Sequence, residues 1–455
     1  MFQQIHRKKS LRSNKKGLIY PMKRIKRELD LIVNVIRKKI DSNAFIKHCK
    51  VSEKDFTRDR KLPFKSLILF MLNIIKQTLQ KELTHFISIF GGEKVNSITK
   101  SAYCQSRLKL KHTAFIELND VILKEFYTKC SFKKWNNFVV LGVDGSTLNL
   151  PYSEELNNEF GTKVPKNQIM PRALISSCYD LLNDIIVNYE IDKSNVSERS
   201  LVLNHIANLH KINHKTLMIF DRGYGALWLM FYLLMKNVNF VMRLKIDFPE
   251  VESFLKSDDV SRIVNYEECS EKSTNQLKKL GLVFSAIKIR LVKVILDDGT
   301  VEILATSLLD EKKYPTKLFK ELYFLRWNVE INFDRLKNKI QVENFTGLSK
   351  LSILQDCYAN MFILNLQSLI ARDVQSEIDE YKGDTKHKYK INRNLSLGYM
   401  KDKVVNILTS SRKDYMDELR DLFKIEPNPI RKGRKFPRDF SVSKRKYNMN
   451  QKKAV

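Results

Sequence analysis

Phe138-Val139-Val140-Leu141-Gly142-Val143-Asp144 is the stretch on which the architecture turns. It is a continuous apolar, β-prone run that reads as a buried strand, and it delivers an aspartate followed by Gly145-Ser146-Thr147, a small polar turn. Working outward, residues 173–179 and 184–190 read as a second and third strand, and 198–210 as a helix. Residues 216–220 form a fourth apolar run that delivers Asp221, then Arg222-Gly223-Tyr224, then an apolar helix over 226–235 and a last strand over 238–245. Strand, strand, strand, helix, strand, helix, strand predicts an α/β fold on a mixed sheet. It puts Asp144 and Asp221 at the ends of neighbouring strands.

A second informative stretch lies further on. Tyr323, Arg326, Glu330 and Lys337 stand at offsets of three, seven and fourteen. At about 100° per residue these side chains share an arc of roughly 60° on an α-helix. One helical face then carries a carboxylate flanked by two cations and a phenol, a surface suited to a metal ion on Glu330 and phosphate oxygens on Arg326 and Lys337. Taken singly, each feature has an ordinary explanation. Strand-end aspartates cap following helices, and an Arg326–Glu330 pair at i,i+4 is common on solvated faces. Three carboxylates drawn together are different, because they repel unless divalent cations lie between them. Magnesium prefers oxygen ligands, and two such ions about 4 Å apart would polarise a phosphodiester and activate the attacking oxygen.

Asp144-Gly145-Ser146, Asp221-Arg222-Gly223-Tyr224 and the Tyr323-x2-Arg326-x3-Glu330-x6-Lys337 spacing together resemble the three catalytic blocks of the DDE transposases of the insertion sequence four family. The resemblance implies a ribonuclease-H-like catalytic domain, which the strand order fits. It implies Asp144, Asp221 and Glu330 as a triad for two Mg2+ or Mn2+ ions, and Tyr323, Arg326 and Lys337 as contacts to transposon-end DNA. It covers roughly residues 138–345. The acids Asp221 and Glu330 are too far apart for an uninterrupted version of that fold, and family members of this kind carry a β-rich insertion there. Residues 286–296 and 301–308 are β-prone and joined by Asp297-Asp298-Gly299-Thr300, a good hairpin turn. Arg222 and Tyr224 are further candidates for DNA contact, with Gly223 between them allowing close backbone approach to phosphate. Trp327 is a candidate for stacking on an extruded base, and equally a core anchor of its helix.

Composition fits a nucleic-acid partner. The chain has 455 residues, 81 Lys plus Arg against 51 Asp plus Glu, and a net charge of +30. Charge gathers at the ends: residues 1–30 hold ten basic against two acidic residues, and 431–455 ten against one. Such arms bind polyanions through counterion release. No apolar stretch approaches the roughly 20 residues of a membrane span, and the charged first thirty residues leave no room for a secretory h-region. Six scattered cysteines give no zinc spacing or disulfide framework and suit a reducing cytoplasm, which the resemblance implies to be that of a bacterial cell with its nucleoid. His205, His210 and His214 read as core or surface residues.

The expected organisation is a basic, mainly helical DNA-binding region over 1–130, with helices over 31–40 and 66–79, the latter region opened by Pro63. Within it, 97–110 could present a recognition helix to a major groove. The catalytic domain spans 131–345 with its insertion at about 246–312. A helical region over 346–425 follows, with 351–372 helical, 373–395 loose, and one or two helices over 397–423. The tail 426–455 is expected to be an unfolded basic arm. The function expected is metal-dependent DNA cleavage and strand transfer by a dimer on two DNA ends. The rivals are a nuclease without strand transfer and a non-catalytic DNA-binding descendant of a transposase.

Overall fold

In the computed structural model, residues 22–58, 60–91, 97–161, 170–381 and 385–431 are described. The greater part of both basic arms, 1–21 and 432–455, lies outside the described residues. Six helices come first: α1 (Met22–Ile40), α2 (Asn43–Cys49), α3 (Phe64–Leu72), α4 (Leu79–Phe90), α5 (Lys100–Arg107) and α6 (Thr113–Lys129). Pro63 stands as the N-cap of α3, as its fixed φ favours. The expected helix over 66–79 is corrected: α3 stops at Leu72, Ile74 takes a φ of 51°, and α4 starts at Leu79. The break is held by polar groups. Asn73 donates to Asp402 at 2.9 Å, and the buried Glu82 carboxylate accepts the backbone N–H groups of Lys76 and Gln77 at 2.8 and 2.7 Å.

The centre is an eight-stranded mixed sheet in the order β3-β2-β1-β4-β5-β8-β7-β6. Its first part is β1 (Val139–Asn149), β2 (Arg172–Asp180), β3 (Ile185–Lys193), β4 (Thr216–Phe220) and β5 (Asn239–Arg243). β1, β2 and β3 are antiparallel neighbours, whereas β4 runs parallel to β1 and β5 parallel to β4. This is the mixed α/β sheet that the strand pattern predicts. Three helices serve these strands: α7 (Glu154–Phe160), α8 (Glu198–Ala207) and α9 (Leu227–Met235). α9 is apolar on nearly all sides because it is buried along most of its length.

The insertion supplies α10 (Val251–Lys256), β6 (Ser261–Tyr266), α11 (Glu271–Lys279), β7 (Ile287–Ile295) and β8 (Val301–Thr306). The β7–β8 turn closes at Gly299 with φ 83° and the Leu296 N–H on the Thr300 carbonyl. β8 pairs antiparallel with β5, so the insertion extends the main sheet. Its buried Arg290 donates to the Tyr314 carbonyl at 2.7 Å, tying it to the chain that leads into the third acidic block.

That block is not one α-helix, which corrects the sequence expectation. α12 (Leu318–Phe324) and α13 (Trp327–Asp334) are joined by a tight turn at Leu325 and Arg326 with i→i−3 bonding, and residues Arg335–Lys339 form a π-helical turn. α14 (Lys350–Tyr381) then packs against α1, α6, α17 and β3. It continues nine residues beyond the expected end, because Asp373 is buried against Arg420 at 2.6 Å. β9 (Lys388–Lys390), α15 (Arg393–Met400), α16 (Lys403–Thr409), α17 (Lys413–Lys424) and β10 (Asn428–Ile430) complete the described chain. Thus 373–381 are helical and 388–390 form a strand where a loose segment was expected, and 428–430, expected in an unfolded arm, pair with β9. No helix among the described residues is long and apolar enough to cross a membrane.

Candidate active site

β1 does not end at Asp144 as its sequence suggests. On the β2 side it remains paired to Asn149, with Asp144 opposite Ser177. On the β4 side the ladder stops at Gly142 opposite Ile219, and β4 itself stops at Phe220. Carried two residues on, that register sets Asp144 opposite Asp221. The two acids are neighbours because both sit just past the end of the parallel ladder. Asp221 folds back on its own turn, its Oδ1 accepting the Gly223 N–H at 2.7 Å. A side chain at residue 223 would lie 2.9 Å from that oxygen, so glycine there allows the turn.

Gly142 has a comparable role on the strand. A Cβ there would meet Val329 Cγ2 at 2.4 Å and Leu181 Cδ2 at 2.7 Å. Its absence lets α13 lie directly on β1. α13 is pinned by polar contacts as well: Asn328 donates to the Leu181 carbonyl at 2.9 Å, and the buried Asn332 donates to Ser177 Oγ at 3.2 Å, beside Asp144. This packing brings Glu330 over the strand. The link between the two acids is Arg326, whose Nη1 reaches Asp144 Oδ2 at 3.4 Å and whose Nη2 donates to Glu330 Oε1 at 3.1 Å. The Arg326 side chain is 12 % exposed, and its Nε is buried with no hydrogen-bond partner.

Lys337 falls on the π turn and reaches further along β1, donating to Ser146 Oγ at 2.7 Å and the Thr147 carbonyl at 2.5 Å. Ser146 is two residues from Asp144 and on the same side of the strand. The turn that carries Lys337 is fixed by Arg335, buried against the Leu364 carbonyl, Gln367 and Ser368 of α14. π turns of this sort recur at functional sites. Although the four residues do not share one α-helix, Arg326 and Lys337 both reach β1, and Tyr323 lies among the charges of Arg326, Glu302, Arg243 and Asp221.

Electrostatics set the site apart from its surroundings. Burial pushes the Asp144 carboxyl up to about 6, the Gly145 N–H and Arg326 oppose that, and the charges of Asp221 and Glu198 add to it. Burial raises the Tyr323 phenol to about 12, with Arg326 opposing. Burial also lowers the Lys337 ammonium, with Glu343 opposing. All three acids offer hard oxygen donors, which suits Mg2+ or Mn2+. Among the described residues, however, no three acidic, His or Cys side chains are close enough to form a ready ligand set. Arg326 occupies the space between Asp144 and Glu330, in the position a cation would take.

Three other candidates separate. Arg222 is exposed beside Asp221, whereas Tyr224 is 1 % exposed with its ring 5.3 Å from that of Phe220, so the expected DNA contact is corrected to a residue beneath the site. Trp327 is 45 % exposed and its ring lies 5.3 Å from the Arg326 guanidinium, so it is no core anchor. His205 is fully buried, its ring nitrogens on Ser176 Oγ at 2.9 Å and Asn188 at 3.3 Å, and Ser176 Oγ lies 3.4 Å from the Asp144 carbonyl oxygen. His210 is capped on Ala207 at the surface and His214 bonds the Tyr127 carbonyl.

The sequence reading missed Glu198. It opens α8, outside all three blocks, yet a Cβ at Gly145 would lie 2.6 Å from its carboxyl carbon. Its neighbour Arg199 donates to the Gly223 carbonyl at 2.9 Å. The first turn of α8 therefore touches both strand ends that carry the aspartates. The available signal was its place after the third strand, at the start of a helix.

Away from the acids, α5 forms one wall of a groove of about 550 Å3 lined by Arg60, Lys61, Ser97, Thr99, Gln105 and Lys109. The far end of α5 is locked. Buried Arg107 donates to Gln355 at 2.8 Å and Thr346 at 2.7 Å and pairs with Asp356 at 3.0 Å.

Residues 139–366 match the family model described as the transposase DDE domain. A search of curated proteins gives no match. Among solved structures, the chain is similar to one titled as the cryo-EM structure of a piggyBac transposase synaptic complex with hairpin DNA. The identity is 12 % and the TM-score 0.41, over 90 % of this chain and 85 % of that one.

Proposed function

This chain belongs to the transposase DDE domain family, and from that premise we propose that it cleaves DNA at the ends of a mobile element and joins the freed 3′ end to another DNA, in the manner of the insertion sequence four transposases. The observation that carries this reading is Arg326 bridging Asp144 and Glu330, with Asp221 in register beside Asp144. Two strand-borne acids, a helix-borne acid and a buried guanidinium with an unused N–H converge on one side of β1. That is an arrangement for a phosphodiester.

Asp144, Asp221 and Glu330 would hold two divalent ions, Mg2+ or Mn2+. When bound, such ions polarise the scissile phosphate and lower the pKa of the attacking water or 3′ hydroxyl. The protein groups supply the rest. With its carboxylate partners engaged by cations, Arg326 would hold a phosphate oxygen, using the free Nε together with a terminal nitrogen. Lys337 holds a second phosphate along the strand from Asp144, and Tyr323 donates its phenolic proton, since its ionisation lies far above neutral pH. Arg222 and Trp327, both exposed at the rim, contact flanking DNA, the indole by stacking on a base. The α5 groove is the second duplex contact, its cations placed for phosphates. Because Arg107 ties α5 to the chain following the π turn, DNA held in the groove is registered against the acids. Joining requires two ends together, so the active species is a dimer on DNA in the bacterial nucleoid.

The test is cleavage of a labelled duplex carrying the sequences that flank the coding region, with Mg2+, by the wild type and Glu330→Ala. Nicking at the end followed by joining, both lost in the variant with DNA binding retained, supports the proposal. Equal cutting by both removes Glu330 from the site. Cutting without joining favours the nuclease.

A further inference from the structure

We propose that the ribbon formed by β9 and β10 is a docking surface for duplex DNA, whose phosphates are held by Lys386, Lys388, Lys390 and Arg431. The inference rests on the reading of DNA as the substrate, and it adds a contact outside both the acidic site and the α5 groove. In the ribbon, Lys390 stands opposite Asn428, Tyr389 opposite Pro429 and Lys388 opposite Ile430. Residues directly opposite across an antiparallel pair project to the same side, and successive residues alternate. Lys388, Lys390, Asn428 and Ile430 accordingly form one exposed face. Tyr389 and Pro429 form the half-buried one, with Tyr389 packed on the hydrophobic core. Lys386 is exposed two residues before Lys388, and Arg431 is exposed directly after Ile430.

That face is cationic and lacks a counter-charge. Among the described residues, no carboxylate pairs with Lys386, Lys388, Lys390 or Arg431. The helices nearby are different. Lys424 of α17 pairs with Glu377 of α14 at 2.9 Å, Lys403 with Glu418, and Arg412 with Asp414 at 2.7 Å. Asp379, near the end of α14, accepts a hydrogen bond from Gln375 Nε2 at 2.9 Å. On the ribbon itself, the residues opposite the two strand lysines are neutral. Like charges placed side by side repel, and a polyanion that meets them sheds its own counterions. The same sign continues along the chain, since residues 431–455 hold ten basic residues against one acidic.

The ribbon is also fixed in place. Gln375 of α14 donates to the Tyr389 carbonyl at 2.8 Å and accepts the Ile391 N–H at 3.3 Å, bracketing Lys390. Three residues after Lys390, the Arg393 carbonyl accepts Gln367 Nε2 at 2.8 Å, and Gln367 Oε1 accepts Arg335 Nη2 at 2.8 Å. Arg335 opens the π turn that carries Lys337. A short path of hydrogen bonds therefore connects the ribbon to that turn. Phosphate contacts made by an anchored element set the position of a duplex as well as its affinity. A two-stranded ribbon also has the dimensions that the major groove admits.

The experiment is binding of the full chain, across a range of salt concentrations, to a labelled duplex carrying the flanking sequences and to one of scrambled sequence. The wild type is compared with a triple variant, Lys386→Gln with Lys388→Gln and Lys390→Gln, and with the matching triple Arg variant. Thermal unfolding is recorded for each. The proposal expects the Gln variant to melt like the wild type and to lose about 3 from the slope of log K against log salt, equally on both duplexes. The Arg variant should keep the slope. Wild-type slope and affinity in the Gln variant overturn the ribbon as a DNA surface and leave the functional reading intact. Unchanged duplex binding with weakened binding to polyglutamate assigns the face to an acidic protein and overturns the proposal equally. Failure of the wild type to bind either duplex at low salt overturns both this proposal and the functional reading.

Discussion

Gly142→Ala tests whether the catalytic geometry depends on how closely α13 lies on β1. The added methyl would start 2.4 Å from Val329 Cγ2 and 2.7 Å from Leu181 Cδ2, both far inside van der Waals contact. Val329 is 0 % exposed and Leu181 2 %, so neither can swing into solvent. Two effects oppose. In a strand, alanine gains roughly 0.5–1 kcal/mol over glycine through reduced unfolded-state entropy. Overpacking a closed core costs about 1–3 kcal/mol. With two contacts below 3 Å the second effect wins, and a net loss of about 1–2 kcal/mol is expected in denaturant unfolding. Relief comes by lifting α13, and about 1 Å of displacement of a catalytic group costs on the order of 100-fold in rate. Cleavage should therefore fall much further than stability. Val329→Ala removes one of the two obstructing groups. The double variant should recover part of the activity, with a coupling energy of about 1 kcal/mol in unfolding. If Gly142→Ala unfolds and cleaves like the wild type, or if Val329→Ala gives no relief, the packing account of how Glu330 reaches Asp144 is wrong.

Two further outcomes are expected. Burial holds the neutral form of His205 and lowers its pKa to about 3. A base depressed in the folded state contributes stability that is complete above its unfolded pKa of about 6.5 and is lost as pH falls toward 3, by up to about 1.4 kcal/mol per unit. His205→Gln keeps a donor for Ser176 and should remove that slope from unfolding curves recorded between pH 6.5 and 4. An unchanged slope would mean that other groups set it. In the α5 groove, Arg60→Ala with Lys109→Ala should weaken duplex binding at low salt and reduce the slope of log K against log salt by about 2, without altering Mn2+ binding. No change in the salt slope would place the DNA elsewhere.

Local signals made much of the sheet legible. The runs at 138–143 and 216–220 are apolar and β-prone enough to read as buried strands, those at 173–179 and 184–190 are β-prone, and the structure places a strand on each. The errors arise where tertiary contacts override local pattern. The apolar run from Ser66 onward reads as one helix, but Glu82, in the first turn of the next helix, supplies a partner for the Lys76 and Gln77 amides. The polar stretch after Arg372 reads as loose, and Arg420 on α17 makes it helix by pairing with Asp373. Tyr224 looks available beside Asp221, and its ring turns inward because Phe220 offers it a core.

What the sequence determined alone was the strand succession and the chemical identity of the three acidic blocks, since hydrophobic runs and residue types are local properties. Tertiary structure decided which of these groups meet. The parallel register of β1 and β4 sets Asp144 beside Asp221. The missing side chain at Gly142 lets α13 bring Glu330 and Arg326 onto that strand, and the π turn directs Lys337 to Ser146. Glu198 had only its place at the start of a helix as a sequence signal, because its position follows from the packing of α8 against Gly145 of β1 and the turn at Gly223. Spacing along a chain records the period of one element, whereas a site is made by the distances between several.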